Sequence, residues 1–299
     1  MWFGLSLLAL LMLVSRRSAE KHASGKMNAL ALSWLQQAAA LPIIFVTLFF
    51  ARFYWPAELS AHYWEVLALY AALVSLDTFL YFKALSIADV SYVAPLLTLV
   101  ALGNILGAYI ILDQVPSTLG IAGAAWIVVG AVITYRGKRR HDTTNHHNNK
   151  LALLFVLMIV AERAITSSIE VPLLRESNPT TFNLYSSLLS VPILIAVSLL
   201  VIATNKSKQY KEYWRAVKTD VVRHRWLLSF IGLTYTVNML ATYGAKLIAP
   251  NAGYVGAVKS ASVLPIVLIG VLFFKEKLHD AQWLGLGFIT AGLVCLGLS

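Results

Sequence analysis

Long apolar runs broken by short polar stretches recur ten times along the chain. They fall at about residues 1–15, 28–51, 63–85, 90–112, 116–135, 150–172, 181–203, 226–248, 251–274 and 281–298. Most approach the ~20 residues that an α-helix needs to cross the hydrocarbon core of a bilayer. The pattern predicts an all-α integral membrane protein with ten transmembrane helices. Composition agrees: 59% of the 299 residues are hydrophobic and 13% are charged, against ~25% charged in a soluble domain. Mean hydropathy is +0.72. The longest connection, about residues 204–225, leaves no room for a soluble catalytic domain. The first run is short, and residues 15–23 extend it toward the interface. No basic residues precede it, so a retained helix is expected rather than a signal peptide.

Charge is distributed by loop, so the net +10 is no sign of nucleic-acid binding. Arg16, Arg17, Lys21 and Lys26 follow span 1, and five basic residues between Arg136 and Lys150 follow span 5. Seven more, from Lys206 to Arg225, follow span 7. In a ten-span chain these loops share one side with Lys83, Lys275 and Lys277, while Arg52, Arg175 and Lys246 lie opposite. The positive-inside rule then puts both termini outside the cell membrane. Cys295 is the single cysteine, which excludes an internal disulfide and a cysteine metal cluster.

Polar residues inside the apolar runs carry the candidate chemistry. Glu162 and Arg163 lie at the middle of span 6. A charge at the bilayer centre costs roughly 2.5 kcal/mol or more, so such residues face a bundle interior or a wet cavity. Being adjacent, the two point in different directions and need separate partners. Asp77 lies just beyond the midpoint of span 3, where it could meet a cationic substrate, carry a proton, or pair with Arg163 or Lys259. Tyr81 is one turn further on the same face. Lys259, about eight residues into span 9, would attract a carboxylate or phosphate. Lys246 lies near the end of span 8, where a lysine can snorkel to water, and Tyr243 shares its face. Gln36 and Gln37, with Trp34 one turn earlier, sit mid-span in span 2 and could equally be glue between helices. Asn104 and Asn238 have the same two readings. The site set is therefore Glu162, Arg163, Asp77, Lys259, Tyr81, Tyr243 and Gln37.

Other features are weaker. Gly103-x-x-x-Gly107 suits close helix contact, and Pro95 and Pro265 are expected to bend spans 4 and 9. His141, His146 and His147 sit in a polar stretch that reads as a solvated linker rather than a metal site. No Gly-x-x-x-x-Gly-Lys-Ser/Thr loop is present to hold ATP phosphates, and no cofactor is expected.

The chain also repeats itself. At an offset of 150, Glu20, Asn28 and Pro42 match Glu170, Asn178 and Pro192. At an offset of 162, Tyr92, Gly123 and Gly130 match Tyr254, Gly285 and Gly292. The expected units are residues 1–135 and 150–299, five spans each, joined by a polar linker at 136–149. An odd number of spans inverts the second unit. Inverted repeats commonly place a substrate site near the midplane between the halves.

Residues 81–97, Tyr-Phe-Lys-Ala-Leu-Ser-Ile-Ala-Asp-Val-Ser-Tyr-Val-Ala-Pro-Leu-Leu, resemble the third-to-fourth span signature of EamA-type transporters of the drug/metabolite transporter superfamily. Residues 274–285, Phe-Lys-Glu-Lys-Leu-His-Asp-Ala-Gln-Trp-Leu-Gly, resemble the matching part of the second half. Where that family often has Glu after span 4, this chain has Asp113-Gln114, and Gly103 stands where a second proline is common. The resemblance implies a secondary carrier, often an exporter of amino acids or other small metabolites. Relatives also move nucleotide sugars, cationic drugs or lipid-linked intermediates.

The expected activity is secondary transport of a small polar metabolite by alternating access. Spans 3, 4, 8 and 9 would form much of the wall, with Glu162 and Arg163 from span 6. Proton exchange would suit as driver, because desolvation can bring a carboxyl group to titrate at physiological pH. The alternatives are a membrane enzyme or flippase acting on lipid-linked substrates, which the short loops disfavour, and an assembly subunit without cargo. The expected partners are the small molecule and the bilayer, without nucleic acid, in a monomer or homodimer.

Overall fold

A computed structural model describes residues 1–298 except 25, 89–92, 94–95, 142–145, 205–208, 261, 263–264 and 266–279. In a bilayer every backbone polar group must be satisfied within the chain, which an unbroken helix achieves. The described residues are accordingly helical, without strands. Eleven α-helices follow in order: α1 (Trp2–Ser24), α2 (Ala29–Thr47), α3 (Ala61–Ile87), α4 (Val100–Leu112), α5 (Thr118–His141), α6 (His146–Glu176), α7 (Pro179–Thr204), α8 (Gln209–Arg223), α9 (Arg225–Ile248), α10 (Ala252–Ser260) and α11 (Asp280–Gly297).

Side chains cap several of these helices where the sequence turns polar. Asn28 Oδ1 accepts from Leu30 N at 2.9 Å, and Ser60 Oγ accepts from Tyr63 N at 3.0 Å. Asn178 Oδ1 accepts from Thr181 N at 2.8 Å, just before Pro179 opens α7. Each bond satisfies a donor that the first turn would otherwise leave unpaired. α4 stops at Asp113, whose φ of 54° turns the chain left-handed.

Among the described residues, five stretches are long and apolar enough to cross a membrane on their own: Trp2–Ser24, Leu30–Phe50, Ala61–Ile87, Lys150–Glu176 and Pro179–Ala203. Leu97–Leu112, Thr118–Gly130 and Asp280–Cys295 are shorter apolar helices. α9 is long too, but it buries Thr234, Thr236, Asn238, Thr242 and Lys246 inside the bundle. Outward-facing Leu106, Ile110, Leu154, Leu200 and Leu284 supply an apolar exterior suited to lipid. The protein is an all-α, multi-pass membrane protein.

Span 1 continues past residue 15 as expected: Arg16 and Arg17 pair with Glu20, and α1 runs to Ser24. Two boundaries differ from the hydropathy reading. The 204–225 connection is not an open loop, because α8 forms within it. Tyr213 and Val217 of α8 are buried, and Trp34 Nε1 donates to the Tyr213 hydroxyl at 3.0 Å. Lys211, Arg215 and Lys218 on α8 stay exposed, as on a helix lying at a membrane surface. Helical backbone also enters the expected linker from both ends, through His141 and from His146. The histidine side chains there, and Tyr92 and Pro95, lie outside what is described.

Helix packing sets the site. The main neighbours are α5 with α11, α1 and α2 with α9, α3 with α6, α4 with α6 and α10, α2 and α3 with α7, and α1 with α10. Gly107 makes the α4–α6 approach possible, since a Cβ there would lie 1.8 Å from the Ala164 carbonyl oxygen. A Cβ on Gly103 would lie 2.6 Å from the Val160 oxygen. The two glycines therefore seat α4 against the turns of α6 that flank Glu162 and Arg163.

Candidate functional site

A cavity of about 200 Å³ lies among α1, α3, α4, α6, α9 and α10. Its charged wall comprises Arg16, Arg17, Asp77, Glu162, Arg163, Glu170, Lys246 and Lys259. Tyr70, Tyr81, Tyr243, Asn104 and Asn238 add polar groups, and Val74, Leu97 and Ile159 add apolar surface. The volume is below the roughly 300–1,000 Å³ of sites for drug-sized ligands, and suits a small metabolite.

Most of these charges are paired. Arg163 grips Asp77 with two bonds, Nε to Oδ1 at 3.1 Å and Nη2 to Oδ2 at 2.7 Å. The planar guanidinium fits the carboxylate, and both bonds are charge-assisted. Lys246 donates to the Ser167 carbonyl and hydroxyl, each at 2.9 Å, and to Glu170. Tyr70 donates to the other oxygen of Glu170 at 2.8 Å, and the Tyr70 and Tyr243 hydroxyls are 3.3 Å apart. On α1, Arg16 and Arg17 reach the two oxygens of Glu20 at 3.2 and 3.0 Å. The Arg17 guanidinium also lies 3.8 Å from the centre of the Tyr81 ring, within cation–π range.

Two cavity charges stand apart. Both carboxyl oxygens of Glu162 are buried without a hydrogen-bond partner among the described residues. Lys259 borders the cavity, half-buried, with no hydrogen bond or ion pair to a described residue.

The wall ends against a packed plug. Tyr63, Leu67, Tyr70, Leu174, Phe182, Tyr185 and Tyr243 form one buried cluster. Over it, the connection before α3 is stapled to the α6–α7 junction. Glu176 accepts from Ser60 N at 2.7 Å, Tyr185 donates to the Tyr54 carbonyl at 2.9 Å, and Tyr63 donates to Ser177 at 3.3 Å. The lining residues at the opposite end include Arg16, Arg17, Leu85 and Val93.

Six of the expected site residues meet in this cavity: Glu162, Arg163, Asp77, Lys259, Tyr81 and Tyr243. Gln37 does not line it; it is buried in α2 with Oε1 unpartnered among the described residues. Lys246 does not snorkel, because Glu170 and Ser167 hold its ammonium inside the bundle. The reading of the sequence missed Glu170, Tyr70, Arg16 and Arg17 as wall residues. A signal existed for Glu170, which is seven residues from Arg163 and so returns to nearly the same helix face.

A multi-span helical bundle built around a charged cavity is an arrangement suited to a membrane transporter. Residues 150–298 match the EamA-like transporter family. A Sinorhizobium sp. protein named as an uncharacterized transporter in the cobO 3′ region is 30% identical over 110 residues, covering 36% of this chain and 72% of that protein. A solved crystal structure superposes with a TM-score of 0.61 over 97% of this chain and 94% of that one, at 15% identity, a likeness of fold alone. The chain belongs to the EamA-like transporter family.

Proposed function

We propose that this transporter is a secondary active carrier in the cell membrane that exports a small polar metabolite, amino acids among the candidates, in exchange for protons. The observation that carries this reading is the unpaired, buried carboxyl of Glu162 beside a cavity whose other carboxylates are all engaged. A carboxyl without a fixed partner is free to take up and release a proton as its surroundings change.

The inverted repeat, and the alternating access it permits, have support in the packing. Exchanging the two halves converts the α1–α9 contact into α6–α3, and α4–α6 into α10–α1. A Cβ on Gly130 would meet the Gly285 oxygen at 2.5 Å, and one on Gly292 would meet the Gly123 oxygen at 2.5 Å. These are the glycines that pair at the offset of 162. Glu20 beside Arg17 and Tyr81, and Glu170 beside Lys246 and Tyr243, form corresponding clusters at two ends of the cavity. The plug over Tyr70 and Tyr243 acts as one gate in this scheme.

Purified protein in liposomes tests the function. Amino acids, organic acids, phosphate esters, sugars and organic cations are loaded in turn, with an imposed pH gradient and no nucleotide. Gradient-dependent movement of at least one class is expected. Movement of none, from protein that remains folded, contradicts the proposal.

A further inference from the structure

Lys259 is a cavity cation with no hydrogen bond or ion pair to a described residue. Arg163 is engaged by Asp77, Lys246 by Glu170, and Arg16 and Arg17 share Glu20. Lys259 shares the cavity wall with the cations Arg16, Arg17, Arg163 and Lys246, and with the carboxylates Asp77, Glu162 and Glu170. Of those carboxylates, Asp77 is held by Arg163 and Glu170 by Lys246. A cation in that setting is costly unless an anion joins it. Lys259 lies in the last turn of α10, where the helix dipole favours a cation. That accounts for tolerance of the charge, but not for its place on the cavity wall beside Ser262. Glu162 is not hydrogen-bonded to it, since neither Glu162 carboxyl oxygen has a hydrogen-bond partner among the described residues.

We propose that Lys259 docks an anionic group of the transported molecule, a carboxylate or a phosphate. The inference rests on the carrier reading and narrows its substrate class. Organic cations are then poor substrates, and a carboxylate or phosphate is the common feature of good ones. Glu162 remains free for its proton, without having to touch the substrate.

Thermal unfolding of the purified chain in detergent reads binding without transport. The probes are inorganic phosphate, succinate, leucine and tetraethylammonium, which separate phosphate, dicarboxylate, amino-acid carboxylate and cation. A ligand that binds only the folded state raises Tm with concentration. At least one of the three anion-bearing probes is expected to do so. Lys259→Gln is expected to weaken that binding roughly tenfold or more, while Lys259→Arg retains it. Without ligand, Lys259→Gln is expected to melt at or above the wild-type temperature, since an unpaired charge has gone. The proposal is overturned if no anion stabilises the wild type, if tetraethylammonium alone does, if Lys259→Gln binds the anion unchanged, or if the empty variant melts lower. Anion binding that persists in a protein showing no liposome transport removes the carrier reading and leaves the Lys259 site standing.

Discussion

Glu162 and Arg163 are neighbours in sequence and opposite in circumstance. Arg163 is clamped to Asp77, while the Glu162 carboxyl oxygens have no hydrogen-bond partner among the described residues. The Asp77 side chain is 9% exposed and that of Arg163 37%, so the pair lies between the exposed and fully buried limits. Removing either partner alone is expected to cost about 1–3 kcal/mol. Removing both should cost less than the sum of the two single losses, because no uncompensated charge is left. Melting curves of Asp77→Ala, Arg163→Ala and the double variant test this, and simple additivity would contradict the coupling. Intramembrane charge made Asp77, Glu162, Arg163 and Lys259 legible from the sequence. The Asp77–Arg163 pair was one of several readings the sequence left open, because 86 residues separate the two and spacing alone could not choose among partners. Position relative to the run misled at Lys246 and Glu170. Each lies toward the end of its span, where a charge ordinarily reaches water, and here the two neutralise each other inside the bundle.

At the scale of elements, the meeting of α4 and α6 decides where the site residues stand. A methyl group on Gly107 would overlap the Ala164 carbonyl, and backbone cannot yield as a side-chain tip does. Gly107→Ala is therefore expected to force the helices apart, at a cost of about 1–3 kcal/mol. It should also weaken ligand binding, since Arg163 and Glu162 move with α6. An unchanged Tm and unchanged binding would show that α4 does not hold α6 in place. The Gly-x-x-x-Gly spacing signalled close contact but named no partner helix. α8 was legible in principle, because Tyr210, Tyr213, Trp214, Val217 and Val221 recur at helical spacing. A search for long apolar runs passes over such a helix, since its apolar face is one stripe.

The whole molecule was the most legible level, because bilayer thickness imposes a length on each span whatever its partners. Among the described residues each long helix falls in a hydropathy run, although α4 begins only at Val100, most of span 9 beyond Ser260 lies outside what is described, and α8 was not expected. The site could not be read in the same way, since a cavity forms from six helices distant in sequence. The orientation proposed from loop charge makes its own prediction. With Cys295 replaced by Ala, a cysteine at the exposed position 57 should react with an impermeant thiol reagent in intact cells. One at exposed position 211 on α8 should react only after the membrane is opened. The reverse pattern would invert the topology and leave the fold intact.

The central claim, that Glu162 carries the coupling proton, is tested most directly by Glu162→Gln in liposomes with and without a pH gradient. Gln keeps the shape and the hydrogen-bonding capacity of the side chain but cannot cycle a proton. The variant is expected to stay folded, to bind the transported molecule, and to lose the response to the gradient. Full gradient-driven transport by Glu162→Gln would contradict the account and make Asp77 the next carboxylate to test.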